Sequence, residues 1–588
     1  MAEEDNRADK DNLASSGVKP LSFDGTFTRI GKGAIGGKAK GLADIKGVLD
    51  THFGSGDFHN ITVKIPCLTV ISTDMFDCFM ERNHLYDIAL SGAQDAHIAN
   101  AFQKAKLPEE LVEQLGSLTA AAHTPLAIRS SSLLEDAMKQ PFAGVYATKM
   151  VPNNQFSADS RLRTLMEAIK FVYASTFFEN AKLYLKAAGR SHEEEKMAII
   201  IQEIMGLRHG DRFYPTISGV ARSYNFYSLG YAKPENGVAS LALGLGKTIV
   251  DGGRSWTYCP AYPKVDPPYC STKDLLRQTQ TEFWSVKMGK LPKYDPLQET
   301  EYLCKGNLKD AEDDNVLRYL ASTYDPQSDR ITMGIGASGP RVLNFRPLLQ
   351  LDDIHLNDLV KKLLELGEKA YGSPVEIEFA VNPPQERETS FRFGFLQIRP
   401  MFVSKDVVEV KEEDFSENDV LFASEHVLGN GILDSIADVV YVKPDTFSAK
   451  DTGLIAAELD DLNRHLLESE RPYLLITIGR LGTSDPWLGI PAQWAQVAGA
   501  KVIVETSVDE MNVDMSQGSH FFHNVTSFQV FYFSLDKSGR HPVKWGWLEK
   551  QETIQDRQFV RHVKLDKPLR IVVDGRSGKG VIFHARPD

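Results

Sequence analysis

Hydrophobic residues follow helical spacing in some segments of the chain and form short continuous runs in others. Ala39, Leu42 and Ile45 recur at helical intervals, which predicts a helix that begins in the glycine-rich segment GKGAIGGKAKGL (31–42). A longer pattern of the same kind predicts one long helix over 157–189.

Short apolar runs without helical spacing predict strands. MAIIIQEIM (197–205) has the length and composition of a buried strand. ITVKIPCLTVIST (61–73) predicts a strand and a loop, because Pro66 interrupts it, and Asp74 is predicted to cap the helix that follows. Further strands are predicted at 213–222, 236–243, 375–381 and 392–398.

A change of composition near position 400 divides the chain. The charged stretch VSKDVVEVKEEDFSEND predicts a linker at 406–414, and runs such as YLLITI, KVIVE and FQVFYFSL dominate beyond it. We therefore predict a disordered tail at 1–20, a first domain at 21–405 and a β-rich C-terminal domain at 415–588. Residues 255–350 contain many prolines, and their elements have no clear order in the sequence.

The net charge of the chain argues against some classes of binding partner. The formal net charge is −13 over 588 residues, which argues against the broad basic face that nucleic acid or an anionic membrane requires. No run approaches the roughly 18 apolar residues of a membrane span. Five scattered cysteines without a CxxC pair, and a polar N-terminal segment unlike a secretory signal, indicate a reducing compartment. We expect a cytoplasmic protein.

The glycine-rich segment offers a first candidate for phosphate binding. Residues 31–36 match GxGxxG by letter, but no clean strand precedes them, and Lys38 is followed by Ala39 where a Walker loop needs Ser or Thr. Glycines allow backbone N–H groups to approach phosphate oxygens, and Lys38 adds a mobile positive charge. The alternative, an ordinary turn, stays open.

The segment AIRSSSLLEDAMKQPFAGVYATK contains a second candidate. Arg129 offers a planar fork that can grip two phosphate oxygens, while Ser130 and the backbone beside Gly144 add uncharged donors. The alternative is a surface ion pair between Arg129 and Glu135 or Asp136.

Polar side chains on predicted strands offer further candidates. Gln202 interrupts an apolar strand in a way that suits an adenine pocket, and the alternative is an ordinary core strand. Glu376 and Glu378 share one strand face, as do Gln397 and Arg399 on another strand. If those strands pair, a carboxylate and an amide oxygen could hold Mg²⁺ beside an arginine. The alternative is a set of weak ion pairs on an exposed sheet face.

These segments occur in one order along positions 36–400: GGKAKGL, AIRSSSLLED with FAG, IIIQEIM, SGV, ASLALGLGKTIVDG, PVEIEFAV and FLQIRP. In that order they resemble the successive blocks of the ATP-binding domain of pyruvate phosphate dikinase and phosphoenolpyruvate synthase, which glucan water dikinases share. The resemblance implies an α+β fold, a two-lobed ATP-grasp nucleotide-binding domain that is followed here by a smaller β-rich α/β domain.

The resemblance also implies roles for single residues. Lys38 and Arg129 would contact the phosphates of ATP, and Gln202 would lie on the adenine side. Glu378 and Gln397 would bind Mg²⁺. The residues that would take part in catalysis are Arg129, Arg399 and His520. The full set predicted to bind the nucleotide is Lys38, Arg129, Ser130, Gly144, Gln202, Gly244 and Gly246.

His520 lies in the C-terminal part of the chain, where the resemblance is weaker. In the synthase, a small swivelling domain carries a histidine that receives phosphate from ATP. LGTSDPWLGIPAQWAQVAGAKVIVE resembles the first part of its motif, and QGSHFFHN offers Ser519 and His520 at the second, after an insertion. Neutral imidazole is a nucleophile near pH 7. The alternatives for His520 and His523 are core or surface histidines, or metal ligands.

Two departures bear on activity. The family's GLG block usually continues with Glu, whereas Lys247 stands here and reverses a charge near the nucleotide. Residues 406–588 show no eight-fold βα alternation, so no barrel for pyruvate or phosphoenolpyruvate is expected. We expect an ATP-dependent phosphotransferase that passes phosphate to a histidine or to an unidentified small-molecule, glucan or protein acceptor. The rival is a catalytically inactive nucleotide-binding regulatory or scaffold protein of the same fold.

Overall fold

The computed structural model combines helices and sheets throughout, which confirms the predicted α+β class. The predicted tail at 1–20 and Asp136 lie outside the described residues. These residues are 27–54, 58–135, 144–191, 195–227, 232–267, 271–290, 292–352, 354–385, 388–403, 408–416, 419–483, 485–507, 519–535 and 541–583.

The strands of the first part of the chain are β1 (Phe27–Ile30), β2 (Ile61–Lys64), β3 (Leu68–Ile71), β4 (Leu126–Ser132), β5 (Thr148–Val151), β6 (Met197–Glu203), β7 (Leu207–His209), β8 (Arg212–Tyr214), β9 (Ile217–Arg222), β10 (Val238–Ala242), β11 (Trp256–Tyr258), β12 (Glu282–Lys287), β13 (Leu303–Asn307), β14 (Ala321–Asp325), β15 (Arg330–Met333), β16 (Arg341–Leu343), β17 (Val375–Asn382) and β18 (Phe391–Pro400). Those of the C-terminal part are β19 (Val420–Ser424), β20 (Val427–Leu428), β21 (Asn430–Val442), β22 (Tyr473–Ile478), β23 (Arg480–Leu481), β24 (Gly489–Ile490), β25 (Ala500–Thr506), β26 (Phe531–Leu535), β27 (Glu552–Asp556), β28 (Val560–Asp574) and β29 (Lys579–Phe583).

The helices are α1 (Gly36–Phe53), α2 (Thr73–Arg82), α3 (Tyr86–Ala89), α4 (Asp95–Lys104), α5 (Glu109–Ala121), α6 (Ala158–Ser175), α7 (Glu179–Ala187), α8 (Lys247–Val250), α9 (Thr272–Gln278), α10 (Leu308–Asp313), α11 (Arg346–Leu351), α12 (Leu356–Tyr371), α13 (Thr452–Glu468), α14 (His520–Ser527) and α15 (Trp545–Leu548). The glycine-rich segment therefore opens a helix, as predicted.

The predicted long helix over 157–189 is wrong in one respect, because the structure has two helices, α6 and α7. The chain turns at 176–178, where Phe177 is buried and stacks on Phe76 with 6.3 Å between the ring centroids. Helical spacing of apolar residues continues across the turn, since both helices bury a face in the same apolar cluster.

Two sheets of the first part position the candidate site. The first has the strand order β1-β3-β6-β4-β5, and the second has the order β11-β10-β9-β17-β18-β2. Helix α1 packs against β18, and α12 packs against β17. Strands β6, β10, β17 and β18 confirm the strands predicted at 197–205, 236–243, 375–381 and 392–398.

The C-terminal part is built on a larger sheet with the path β19-β29-β28-β21-β22-β25-β26-β20, and β27 pairs with β28. Strands β21, β22, β25 and β26 run parallel, so this region is a mixed α/β layer rather than a simple antiparallel sheet. Val410, which lies in the predicted linker, is buried beside Phe583 at the edge of this sheet. The limits of the domains stay predictions.

One apolar cluster runs from the first sheet and its helices into the C-terminal part. It includes Phe76 and Tyr532, which lie on opposite sides of the junction. The ring centroids of Tyr184 and Phe528 are 5.1 Å apart across that junction. The C-terminal part is thus packed against the first part through buried aromatic side chains. Among the described residues, no helix is both long and apolar enough to cross a lipid bilayer.

Candidate active site

The two strands predicted to carry the metal ligands are direct neighbours. Strands β17 and β18 pair antiparallel, with Glu378 opposite Gln397 and Glu376 opposite Arg399. Residues two apart on a strand project from the same face, so this register gathers the polar side chains on one side of the sheet. The predicted Mg²⁺ site required that these two strands pair, and they do.

Arg129 connects the two sheets. It lies in the middle of β4 in the first sheet, and its side chain reaches the second sheet. Its Nη2 donates to Glu378 Oε2 at 3.2 Å and to Gln397 Oε1 at 2.5 Å, and its Nη1 donates to the Leu396 carbonyl at 3.2 Å. The predicted alternative, a surface pair with Glu135, is therefore wrong.

Lys38 has a buried carboxylate as its partner. Its Nζ lies 2.7 Å from Glu135 Oε1 and 3.2 Å from Ser130 Oγ. Ser130 donates to the same carboxylate oxygen at 2.8 Å, and Glu135 is only 2% exposed. Sequence reasoning missed Glu135 as the partner of Lys38, although it lies five positions after Ser130 in the same block. This triad fixes the ammonium of Lys38 at the start of α1.

The glycine-rich segment does not present its amides to phosphate as expected. The backbone N–H groups of Lys32 and Gly33 donate to the carboxylate of Asp74 at 2.9 and 2.8 Å. Asp74 is not the helix cap that we predicted, because it lies in the first turn of α2, whose N-cap is Ser72. These hydrogen bonds hold the glycine-rich loop against α2, and the loop contributes to the site by placing Lys38.

Arg399 belongs to a buried group of three charges. Glu376 accepts hydrogen bonds from Arg399 Nε at 2.7 Å and from Arg222, and all three residues are at most 2% exposed. Burial opposes the ionised form of Glu376, but the two guanidinium groups outweigh burial and lower the pKa of Glu376. The group holds two positive charges and one negative charge, so it carries a net positive charge next to the site.

A cavity of about 460 Å³ gathers most of the predicted residues. Those that line it are Lys38, Arg129, Gly144, Gln202, Gly246, Glu378, Gln397, Arg399 and His520. Two predicted residues do not line it. Ser130 is fully buried behind Lys38. Gly244 turns toward β12 at φ +82°, where an added Cβ would meet the Trp284 carbonyl oxygen at 2.6 Å.

His520 enters this cavity from the C-terminal part. It is the first residue of α14, whose N-cap Ser519 accepts a hydrogen bond from the Phe522 amide at 3.2 Å. Burial lowers the pKa of the His520 imidazole to well below its usual value. Four cations lower this pKa further: Arg399, Lys38, Lys247 and Arg129. The imidazole is therefore neutral at physiological pH.

Contacts across the junction hold α14 over the second sheet. The guanidinium carbon of Arg222 lies 4.7 Å from the centroid of the Phe522 ring. Thr483 Oγ1 donates to the Gly252 carbonyl at 3.1 Å, and Tyr184 donates to Asn524 at 3.1 Å. Cation–π, backbone and side-chain contacts thus act together to place the start of α14 at the cavity.

The sequence matches a known protein family over most of the residues that line this cavity, whereas His520 and the other lining residues of the C-terminal part lie outside the match. The family model is the AMP/ATP-binding domain of pyruvate phosphate dikinase, and the match covers residues 32–419. The chain belongs to this family. A member of the pyruvate phosphate dikinase family is an ATP-binding protein of a kinase-like type, and the matched range includes every predicted nucleotide-binding and metal-binding residue.

The oxygen atoms in this dikinase-family cavity fit a divalent cation. Glu378 Oε2 and Gln397 Oε1 accept hydrogen bonds from the same nitrogen of Arg129, so the two oxygens lie close together. Carboxylate and amide oxygens are the hard ligands that Mg²⁺ takes, and its remaining positions are usually filled by water and substrate phosphate. Glu378 and Gln397 are therefore the residues that could hold Mg²⁺ here.

Proposed function

We propose that this protein is an ATP-dependent phosphotransferase in which His520 accepts a phosphoryl or pyrophosphoryl group from ATP. The observation that carries the proposal is that His520 lines the same cavity as Lys38, Arg129 and Glu378. These four residues come from four separate elements, α1, β4, β17 and α14, and an arrangement of cations, oxygen ligands and a nucleophile is what phosphoryl transfer requires.

In this proposal the two sheets are the lobes of an ATP-grasp fold, and the nucleotide lies between them. The guanidinium of Arg129 and the ammonium of Lys38 bind the phosphates, while Gln202 lies on the adenine side and Gly246 allows close backbone approach. Arg399 adds positive charge next to His520. Bound through Glu378 and Gln397, Mg²⁺ would supply charge neutralisation for the phosphates. Most of the catalytic effect then comes from positioning and electrostatics.

The transfer step needs a neutral imidazole, and the low pKa of His520 supplies it. The lone pair of the unprotonated ring nitrogen attacks phosphorus, an N–P bond forms, and the P–O bond to the leaving nucleotide breaks. Attack on the γ-phosphorus releases ADP, and attack on the β-phosphorus releases AMP. The ring's other nitrogen then loses its proton to solvent. The final acceptor is a small molecule, a glucan or another protein.

Incubation with ATP that is labelled separately at the β and γ positions tests the proposal. We expect label on the protein that is acid-labile and base-stable, as a phosphoramidate is, and we expect none on the His520→Ala variant. His465→Ala is a matched control, because His465 is exposed and lies on α13. The position of the label distinguishes phosphoryl from pyrophosphoryl transfer.

Two outcomes would contradict the proposal. Label that persists in His520→Ala means that the carrier is another residue. ATP binding without any label means that the chain is a nucleotide-binding regulatory or scaffold protein instead.

The metal ligand gives a second test, because Glu378→Gln keeps the shape of the side chain and removes its charge. We expect this variant to fold normally by circular dichroism and to lose histidine labelling by at least about 100-fold, as a step that depends on charge neutralisation would. Glu388→Gln, at a half-exposed position just beyond β17, is the control. Normal labelling of the Glu378→Gln variant would remove Glu378 from the site.

A further inference from the structure

Lys247 is a cation of the cavity that has acidic partners on two sides. It is the first residue of the one-turn helix α8, and its side chain lines the cavity. Its Nζ lies 2.9 Å from Asp251 Oδ2 and 3.5 Å from Glu299 Oε1. Burial opposes its charge, but Glu299 and then Asp251 outweigh burial and raise the pKa of Lys247. The ammonium is therefore charged at neutral pH.

Glu299 lies on a segment without helix or strand, residues 292–302, which joins the region after β12 to β13 and which we call the strap. Lys149 of β5 anchors the strap from beneath. Its Nζ donates to the Gln298 carbonyl at 2.5 Å and lies 2.6 Å from Glu301 Oε1. The side chains of Lys149 and Glu301 are at most 1% exposed, so this ion pair is fully buried.

Aromatic rings complete the anchor of the strap. The Nζ of Lys149 lies 4.7 Å from the centroid of the Phe171 ring, 5.3 Å from that of Tyr294 and 5.6 Å from that of Tyr302. Such cation–π contacts gain strength when the cation is desolvated. The strap is thus held on both sides of Glu299, and its fold places that carboxylate against Lys247.

The contact of Lys247 with Glu299 is looser than those of the neighbouring cations. The Lys38–Glu135 contact is 2.7 Å long, and its carboxylate is 1% exposed. The Lys247–Glu299 contact is 3.5 Å long, and the side chain of Glu299 stays 40% exposed. A longer and more solvated ion pair costs less free energy to separate. Of these two lysines of the cavity, Lys247 can therefore exchange its partner more readily than Lys38.

We propose that Lys247 is a further phosphate-binding cation of this cavity, which Glu299 of the strap and Asp251 hold ready until a phosphate group displaces Glu299. The ligand class is the phosphate chain of a nucleoside triphosphate, and the inference rests on the proposed function of the cavity. The charge of Lys247 also acts on His520, so it lies near the acceptor as well as near the nucleotide.

Calorimetric titration of the full chain with Mg·ATP tests this role. Lys247→Gln should weaken binding about 10-fold, as expected for the loss of one charge-assisted hydrogen bond, while Lys247→Arg should retain affinity within about 3-fold. Glu299→Gln removes the competitor and should tighten binding by about 3-fold. In the Lys247→Gln background, Glu299→Gln should have no further effect, because no ammonium is left to release.

The exposed ion pair between Lys305 and Glu282 provides matched controls. Its Nζ···O distance is 3.0 Å, it joins β13 to β12, and its side chains are more than half exposed. Lys305→Gln and Glu282→Gln should leave the affinity for Mg·ATP unchanged.

Four outcomes would overturn the inference or separate it from the proposed function. Unchanged affinity in Lys247→Gln would overturn it. So would a loss of affinity in Glu299→Gln as large as that in Lys247→Gln, because the pair would then act as a structural unit. Failure of the wild type to bind Mg·ATP would overturn both proposals, whereas absent histidine labelling with these affinity changes intact would overturn only the proposed function.

Discussion

Glu376 supplies the negative charge that compensates two buried arginines. It is 1% exposed and accepts hydrogen bonds from both Arg222 and Arg399. Removal of one partner from a buried ion pair leaves uncompensated charge, which costs roughly 3–5 kcal/mol. We therefore expect Glu376→Gln to lower the free energy of unfolding, measured by urea titration, by that amount. Glu282→Gln, in an exposed pair, should change it by less than about 1 kcal/mol, and an equally small effect at Glu376 would contradict this account.

At this scale the sequence predicts some site residues well and others not at all. The alternation of side chains places Glu378 with Glu376 on one strand face and Gln397 with Arg399 on another, because the period of two is a local property. The pairing that brings the two faces together is a condition that the structure fulfils and the sequence leaves open. The contact between Lys247 and Glu299 depends on the path of the strap, which has neither periodicity nor a motif. No local pattern in the sequence could have identified that contact.

Strand β25 carries a buried acid that makes stability depend on pH. Glu505 is 1% exposed and accepts hydrogen bonds from the Leu481 amide at 2.8 Å and from Tyr532 at 2.5 Å. Burial raises the pKa of Glu505 from 4.5 to about 7, although both donors lower it. A raised pKa means that the folded state binds the proton more tightly than the unfolded state. Stability is therefore highest below about pH 4.5 for this group and falls as the pH rises to about 7.

The variant Glu505→Gln tests this linkage. Between pH 5 and 7 the wild type should lose up to about 1.4 kcal/mol of stability per pH unit through this one proton, and the variant should lack that contribution. Urea titrations at several pH values measure both slopes. Glu195, whose pKa burial also raises to about 7, keeps its own contribution in the variant. Identical slopes in the two proteins would show that Glu505 is ionised in the folded state throughout this range.

Elements are predicted more reliably than their arrangement. The buried run that became β6 and the helix that follows the glycine-rich segment both follow from hydrophobic spacing alone. The sequence does not reveal that α14 lies over the second sheet, because that contact joins residues hundreds of positions apart. The position of α14 depends on how aromatic side chains pack across the junction, for example Phe226 and Phe522, whose ring centroids are 5.6 Å apart.

The whole molecule should unfold as one unit, because the apolar cluster crosses the junction between its first and C-terminal parts. Trp494 is 5% exposed, and its ring centroid lies 5.2 Å from that of Phe528 and 5.6 Å from that of Phe521. We expect a single calorimetric transition whose enthalpy equals the van't Hoff enthalpy. Trp494→Ala should remove roughly 3–5 kcal/mol and shift that whole transition to lower temperature. Two separate transitions, in either protein, would mean that the junction contributes little, and the position of His520 in the cavity would then be only weakly fixed.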